Sequence, residues 1–221
     1  MIDIFFGYFM QYIDLTHLFK QNGMPAYPGD PESELKQVAF IGEDDCNIFE
    51  VKTGLHVGTH VDAPAHMLQN GKWLDEYPVD RFFGNGVVID ARDRETIGIE
   101  SLAAKEISKG DIVLILTGFS AKFEEPEYYL SYPVMTEEFA EKMVEFGVKM
   151  VGMDTPSPDK SPYSIHKILL GNDVLIIENL TNLESLLTHP RFEVIALPAR
   201  FEADAAPIRV VARIAISTPS I

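Results

Sequence analysis

Cysteine is nearly absent from this chain: Cys46 stands alone among 221 residues. That excludes an internal disulfide framework and any multi-cysteine zinc site, and it fits a reducing compartment such as the cytoplasm. Cationic side chains are scarce too. Eighteen Lys and Arg face 34 Asp and Glu, a formal charge of −16 with histidine neutral. Such a field repels phosphate backbones and anionic membrane surfaces, so neither nucleic acid nor a membrane is an expected partner. Long apolar runs are missing as well. The stretch Ile4-Phe5-Phe6-Gly7-Tyr8-Phe9-Met10 is far shorter than the roughly 20 residues that span a bilayer. Asp3 precedes it where a signal peptide would carry positive charge. The stretch reads as a strand or short arm that packs on the domain or on a partner subunit. No internal repeat or low-complexity linker interrupts the sequence, so residues 1–221 read as one domain.

What is present describes a globular α/β protein. Apolar residues make up 46% and charged residues 24%, enough to build a core at this length. Gly86 to Ala91, Ile112 to Thr117, Val148 to Met153, Val174 to Ile177, Glu193 to Leu197 and Ile208 to Ile216 read as strands. Ile99 to Lys109 reads as a helix closed by Gly110. Thr136 is placed to cap a second helix, which carries Phe139, Met143 and Phe146 on one face and ends at Gly147. Residues 119–135, with several acids and tyrosines, read as a solvent-facing insertion or acidic surface loop. Strands alternating with helices predict a mixed sheet rather than a bundle or sandwich.

Three of the six histidines fall within eleven residues: His56-Val-Gly-Thr-His60-Val-Asp62-Ala-Pro-Ala-His66. Two imidazoles and a carboxylate are the ligand types that zinc or manganese accepts. Gly58, Pro64 and the β-branched Val57, Thr59 and Val61 argue against a helix. A straight strand would hold His56 and His60 roughly 13 Å apart at about 3.3 Å per residue, too far for one ion. The backbone is therefore expected to turn near Gly58 and Thr59. Asp62 and His60 share one face without help. Glu178 ends the apolar run Val174-Leu-Ile-Ile, and a carboxylate buried there needs a partner. His66 lies beyond Pro64, near the candidate ion without having to bind it, and imidazole is the side chain whose intrinsic chemistry suits proton transfer near neutral pH. Cys46 follows Glu43, Asp44 and Asp45, which would raise its thiol pKa and make it a poor nucleophile. His17 and His189 have no spacing argument for ligation.

The motif H-x-G-T-H-x-D-x-P-x-H at 56–66 resembles the signature of the cyclase-like metal-dependent hydrolases, which include bacterial kynurenine formamidases and isatin hydrolases. Four further blocks support the resemblance: Ile13 to Thr16 with Pro25 to Asp30, Val151 to Asp159, His166 to Leu170 with Glu178 to Leu180, and Leu197 to Ala199 with Ala206 to Arg209. It implies a swivelling β/α/β fold with a mixed central sheet. It implies His56, His60, Asp62, His166 and Glu178 as metal ligands, with one or two ions per subunit, zinc first and manganese as the alternative. His66 would move the proton in hydrolysis of an amide or a lactam. Homodimers or homotetramers are implied as well. Tyr27 and Trp73 flank the motif blocks and are candidate walls for an aromatic substrate. The formamidases tend to carry a second histidine before position 166, where this chain has Ile165.

Overall fold

The computed structural model describes residues 8–21, 23–103 and 105–217. In chain order the strands are β1 (Tyr8–Asp14), β2 (Glu34–Ala39), β3 (Ile48–Lys52), β4 (His60–Asp62), β5 (Phe83–Asp90), β6 (Thr96–Ile97), β7 (Ile112–Leu116), β8 (Val134–Met135), β9 (Met150–Met153), β10 (Leu175–Glu178), β11 (Glu193–Pro198) and β12 (Ala205–Ser217). The helices are a single turn α1 (Ile41–Asp44), α2 (Glu137–Phe146) and α3 (Ser164–Gly171).

Eight strands form one mixed sheet in the order β1-β12-β11-β5-β7-β9-β10-β4, and a further β12–β4 pairing closes it. The centre, β5-β7-β9-β10, is parallel. Its strands are continuous apolar runs because both faces are covered: all five residues of β7 are buried. Side chains alternate between the faces. Ile112, Leu114 and Leu116 join Leu175 and Ile177 in the core inside the closed sheet. Val113 and Ile115 join Val151 and Ile176 in a second core beneath α2 and α3. The long β12 makes closure possible, because its first residues pair with β4 and later ones with β11 and β1.

Helix α2 forms as the sequence predicts. The Thr136 hydroxyl accepts the Phe139 N–H at 3.1 Å, Gly147 takes a left-handed φ of 69° at the other end, and Phe139, Ala140 and Met143 are buried. Two expectations need correction. The predicted helix over 99–109 is only a 3-10 turn at Ile99–Leu102. Farther on, the Asp111 carboxylate accepts the Ser108 N–H at 2.8 Å, a local bond that competes with helix formation. Residues 119–135 are a surface loop only in part: Glu124, Glu125 and Glu127 are exposed, but Phe123, Tyr128 and Tyr132 are buried. The Tyr128 hydroxyl lies 3.0 Å from Asn179 Oδ1, and the Tyr132 hydroxyl donates to the Asp159 carbonyl at 2.8 Å. Of the apolar N-terminal stretch, residues 4–7 lie outside the described residues, and Tyr8 onward pairs with β12. Among the described residues, no helix is long and apolar enough to cross a membrane.

Candidate metal centre

The site is built where β4 is clamped between β10 and β12. Gly58 adopts φ 69°, the left-handed region that glycine enters freely. This is the expected turn, and it brings the His56 and His60 rings to 5.2 Å between centroids. Register does the rest. Glu178 pairs with His60 across β10 and β4. His166 enters from the first turn of α3, whose Ile165, Leu169 and Leu170 anchor it in the second core.

All five sequence-predicted ligands meet. Asp62 Oδ1 lies 2.9 Å from His56 Nδ1 and 3.3 Å from His60 Nε2. Glu178 places its two oxygens 3.3 Å from His60 Nε2 and 3.4 Å from His166 Nε2. His166 Nε2 also lies 3.8 Å from Asp62 Oδ2. His60, Asp62, His166 and Glu178 are buried. The far side of two rings is fixed: His60 Nδ1 donates to the Gly58 carbonyl at 2.8 Å, and His166 Nδ1 donates to Asp159 Oδ1 at 2.6 Å. Both rings therefore turn Nε2 inward, the second-sphere arrangement that orients metal-binding histidines.

The inward atoms test whether a cation suits this pocket. His60 Nε2, both Asp62 oxygens and Glu178 Oε1 are buried without a hydrogen-bond partner. Unsatisfied buried atoms of charged groups are costly, and these four converge. Nitrogen and carboxylate oxygen are the donors a borderline divalent ion takes, so the residues fit such an ion. Electrostatics agree. Burial pulls the pKa of His60 down, but Asp62 and Glu178 outweigh it and hold it well above the ordinary value. For His166, burial is likewise outweighed by Asp159 and Glu178, which raise it to about 10. Burial would raise Asp62, yet His60 and His56 keep it well below the usual carboxylate range. The carboxylates thus demand positive charge, which protons or a divalent ion can supply.

His66 sits at the end of a 3-10 turn, Pro64–His66, with its ring 5.9 Å from that of His166. Asp62, His66 and His166 offer ligand atoms within 4.8 Å of one another, so His66 borders the cluster. Its Nδ1 lies 3.2 Å from Asp204 Oδ2. No motif or spacing marks Asp204 as part of the site. It is found beside Asp62 because β12 starts there: the Ala63 N–H donates to the Asp204 carbonyl at 2.8 Å.

A cavity of about 220 Å³ opens over these groups, walled by Tyr27, Tyr129 and Tyr163 with Asp30 at its rim. Tyr27 therefore stands where a substrate wall was expected. Trp73 does not. It is half exposed, starts a short 3-10 turn where its N–H donates to Glu76, and is not among the described residues that line this cavity. Tyr77 faces away, its hydroxyl bonded to Asp173 at 2.6 Å. A larger hollow of about 600 Å³ beside β1, β5 and β12 contains no histidine, and its acids are engaged by Ser108 and Arg213. The chemistry is concentrated in the smaller one. His17 stands apart from the ligands, stacked on Phe123, His189 is half-buried, and Cys46 is exposed.

A closed mixed sheet bearing three imidazoles and two carboxylates around one point defines the scaffold of a metal-dependent hydrolase. The model of the family described as putative cyclase matches residues 13–160, and this chain belongs to that family. It is 29% identical over 213 residues to a kynurenine formamidase of Bacillus cereus, covering 92% of this chain and 97% of that protein. A kynurenine formamidase of Salinibacter ruber is 32% identical over 198 residues, covering 85% and 90%. A solved structure of a potential metal-dependent hydrolase with cyclase activity superimposes with a TM-score of 0.77 at 26% identity, covering 93% and 98%. Isatin hydrolase A of Labrenzia aggregata gives 0.81 at 23% identity, covering 93% and 94%, and shares the fold.

Proposed function

We propose that this protein is a metal-dependent amidohydrolase that cleaves the C–N bond of a small aromatic amide, as an arylformamidase does. The observation that carries the reading is the convergence of unpartnered His60, Asp62 and Glu178 atoms beneath an aromatic-walled cavity that His66 also lines. His56, His60, Asp62, His166 and Glu178 would hold the ion, zinc in the first instance and manganese in the second. If two ions bound, Asp62 would be the ligand able to serve both. When bound, the ion supplies a Lewis acid that acidifies water and polarises a carbonyl. His66 takes the proton from water at its free ring nitrogen and returns it to the departing amine. Tyr27, Tyr129 and Tyr163 hold the flat portion of the substrate and exclude water. A lone exposed cysteine suits a reducing cytoplasm, and a homodimer or homotetramer is the assembly we propose.

The test is elemental analysis of the purified protein, then turnover of N-formylkynurenine, formanilide and isatin with zinc or manganese loaded. We expect one or two ions per chain and release of formate. His60→Ala should lose the metal, whereas His66→Ala should keep it and lose roughly 10²–10⁴-fold in kcat. Ring opening of isatin without formate release would reassign the substrate to a lactam. Inactivity of the loaded protein on the whole panel would leave a metal-binding protein and overturn the reading.

A further inference from the structure

We propose that Asp204 is a positioning residue that sets the ring orientation and tautomer of both His56 and His66. One oxygen, Oδ2, lies 3.0 Å from His56 Nε2 and 3.2 Å from His66 Nδ1. A carboxylate oxygen only accepts, so each of those ring nitrogens carries its hydrogen. A neutral imidazole has one N–H. Asp62 Oδ1, although 2.9 Å from His56 Nδ1, accepts no hydrogen bond, so the lone pair of His56 falls on Nδ1. The lone pair of His66 falls on Nε2, the nitrogen left free to take a proton. His56 is thus the odd member of the ligand set: it presents Nδ1 where His60 and His166 present Nε2, because their Nδ1–H groups are given to Gly58 and Asp159.

The two rings lie 4.1 Å apart between centroids and tilted by 36°, each one-quarter exposed at the side chain. Among the described residues no hydrogen bond other than the one to Asp204 holds the His66 ring. Losing this carboxylate would free both rings to turn, so a single side chain links ligand geometry to proton transfer. Asp204 itself is held through its backbone, whose carbonyl accepts the Ala63 N–H, and its side chain is one-third exposed. Alanine there removes little packing.

The inference rests on the hydrolase reading above, so the experiment has an arm without substrate. Long-range ¹H–¹⁵N correlation spectra of the metal-free protein, at a pH where both rings are neutral, should show His56 as the Nε2–H tautomer and His66 as the Nδ1–H tautomer. Asp204→Ala should convert both to tautomer mixtures, and Asp204→Glu should restore them at least in part. With zinc loaded, Asp204→Ala should lower kcat on formanilide by roughly 10–100-fold, the usual cost of a lost second-sphere partner, with KM changed less than about threefold. Unchanged tautomers in Asp204→Ala, or His56 found as Nδ1–H in the parent, would overturn the proposal. If the parent turned over no amide, the functional reading would fall while the spectra still decided the role of Asp204.

Discussion

Individual residues in this protein are tuned by what covers them, and His17 isolates the effect away from the ligands. Its ring stacks on Phe123 at 3.8 Å between centroids with a 10° interplanar angle. Burial holds its pKa at about 4, against an ordinary 6.5, with Glu124 opposing the shift. Between those two values the unfolded chain binds a proton that the folded chain refuses. Stability from this group is therefore intact above pH 6.5, falls as pH drops through the window, and levels off below about 4. His17→Phe keeps an aromatic ring on Phe123 and removes the proton. Thermal unfolding of the variant should lose less between pH 6.5 and 4 than that of the parent, and equal losses would sink the assignment. His17 also shows where sequence legibility stops. The ligand histidines announce themselves by spacing, whereas His17 owes its environment to Phe123, 106 positions later in a segment that reads as an acidic loop.

At the scale of elements, local signals and long-range placement divide the fold between them. Strand β7 and helix α2 were legible because their apolar periodicity and caps are local. The helix expected over 99–109 was not, since a bond between Ser108 and Asp111 competes with the helical pattern. The motif at 56–66 was legible as a site because glycine at 58 had to turn the chain, and the observed φ of 69° is that turn. Asp204 and the inward direction of Glu178 were not, because both depend on which strands flank β4. Gly58 carries the geometric burden. A Cβ there would meet Met24 Cε at 3.2 Å on a backbone that side chains rarely adopt. Gly58→Ala should cost about 1 kcal/mol in urea unfolding and weaken zinc binding as His56 and His60 separate. Gly42→Ala, where a Cβ meets nothing within 4 Å, should change neither. Equal zinc affinity in both variants would mean that the turn is not what brings the ligands together.

For the whole molecule, the charge of −16 and the exposed apolar surface pull in opposite directions. Strands β2 and β3 pair with each other and with no third strand among the described residues. All five residues of β3 are exposed, among them Val51 at 61%, and the adjoining Ile41 is 64% exposed. A lone two-stranded hairpin is marginal in water, and apolar side chains clustered on such a hairpin mark an interaction site. The hairpin leads into His56 only four residues after Lys52, so whatever covers it also steadies the entry to the metal centre. The contact offered is apolar, and the occupant expected there is a second copy of this chain, which has to form it against the repulsion between two chains of the same negative charge. That repulsion sets the sign of the salt dependence: screening shortens its range from about 30 Å at 0.01 M to about 8 Å at 0.15 M. Light scattering at micromolar concentration should therefore report a dimer or larger assembly, with the monomer fraction growing at low ionic strength. The double change Phe49→Lys and Val51→Lys should give a folded monomer at both ionic strengths. A parent that is monomeric throughout would show that the hairpin stays bare and that the protein works as a single chain.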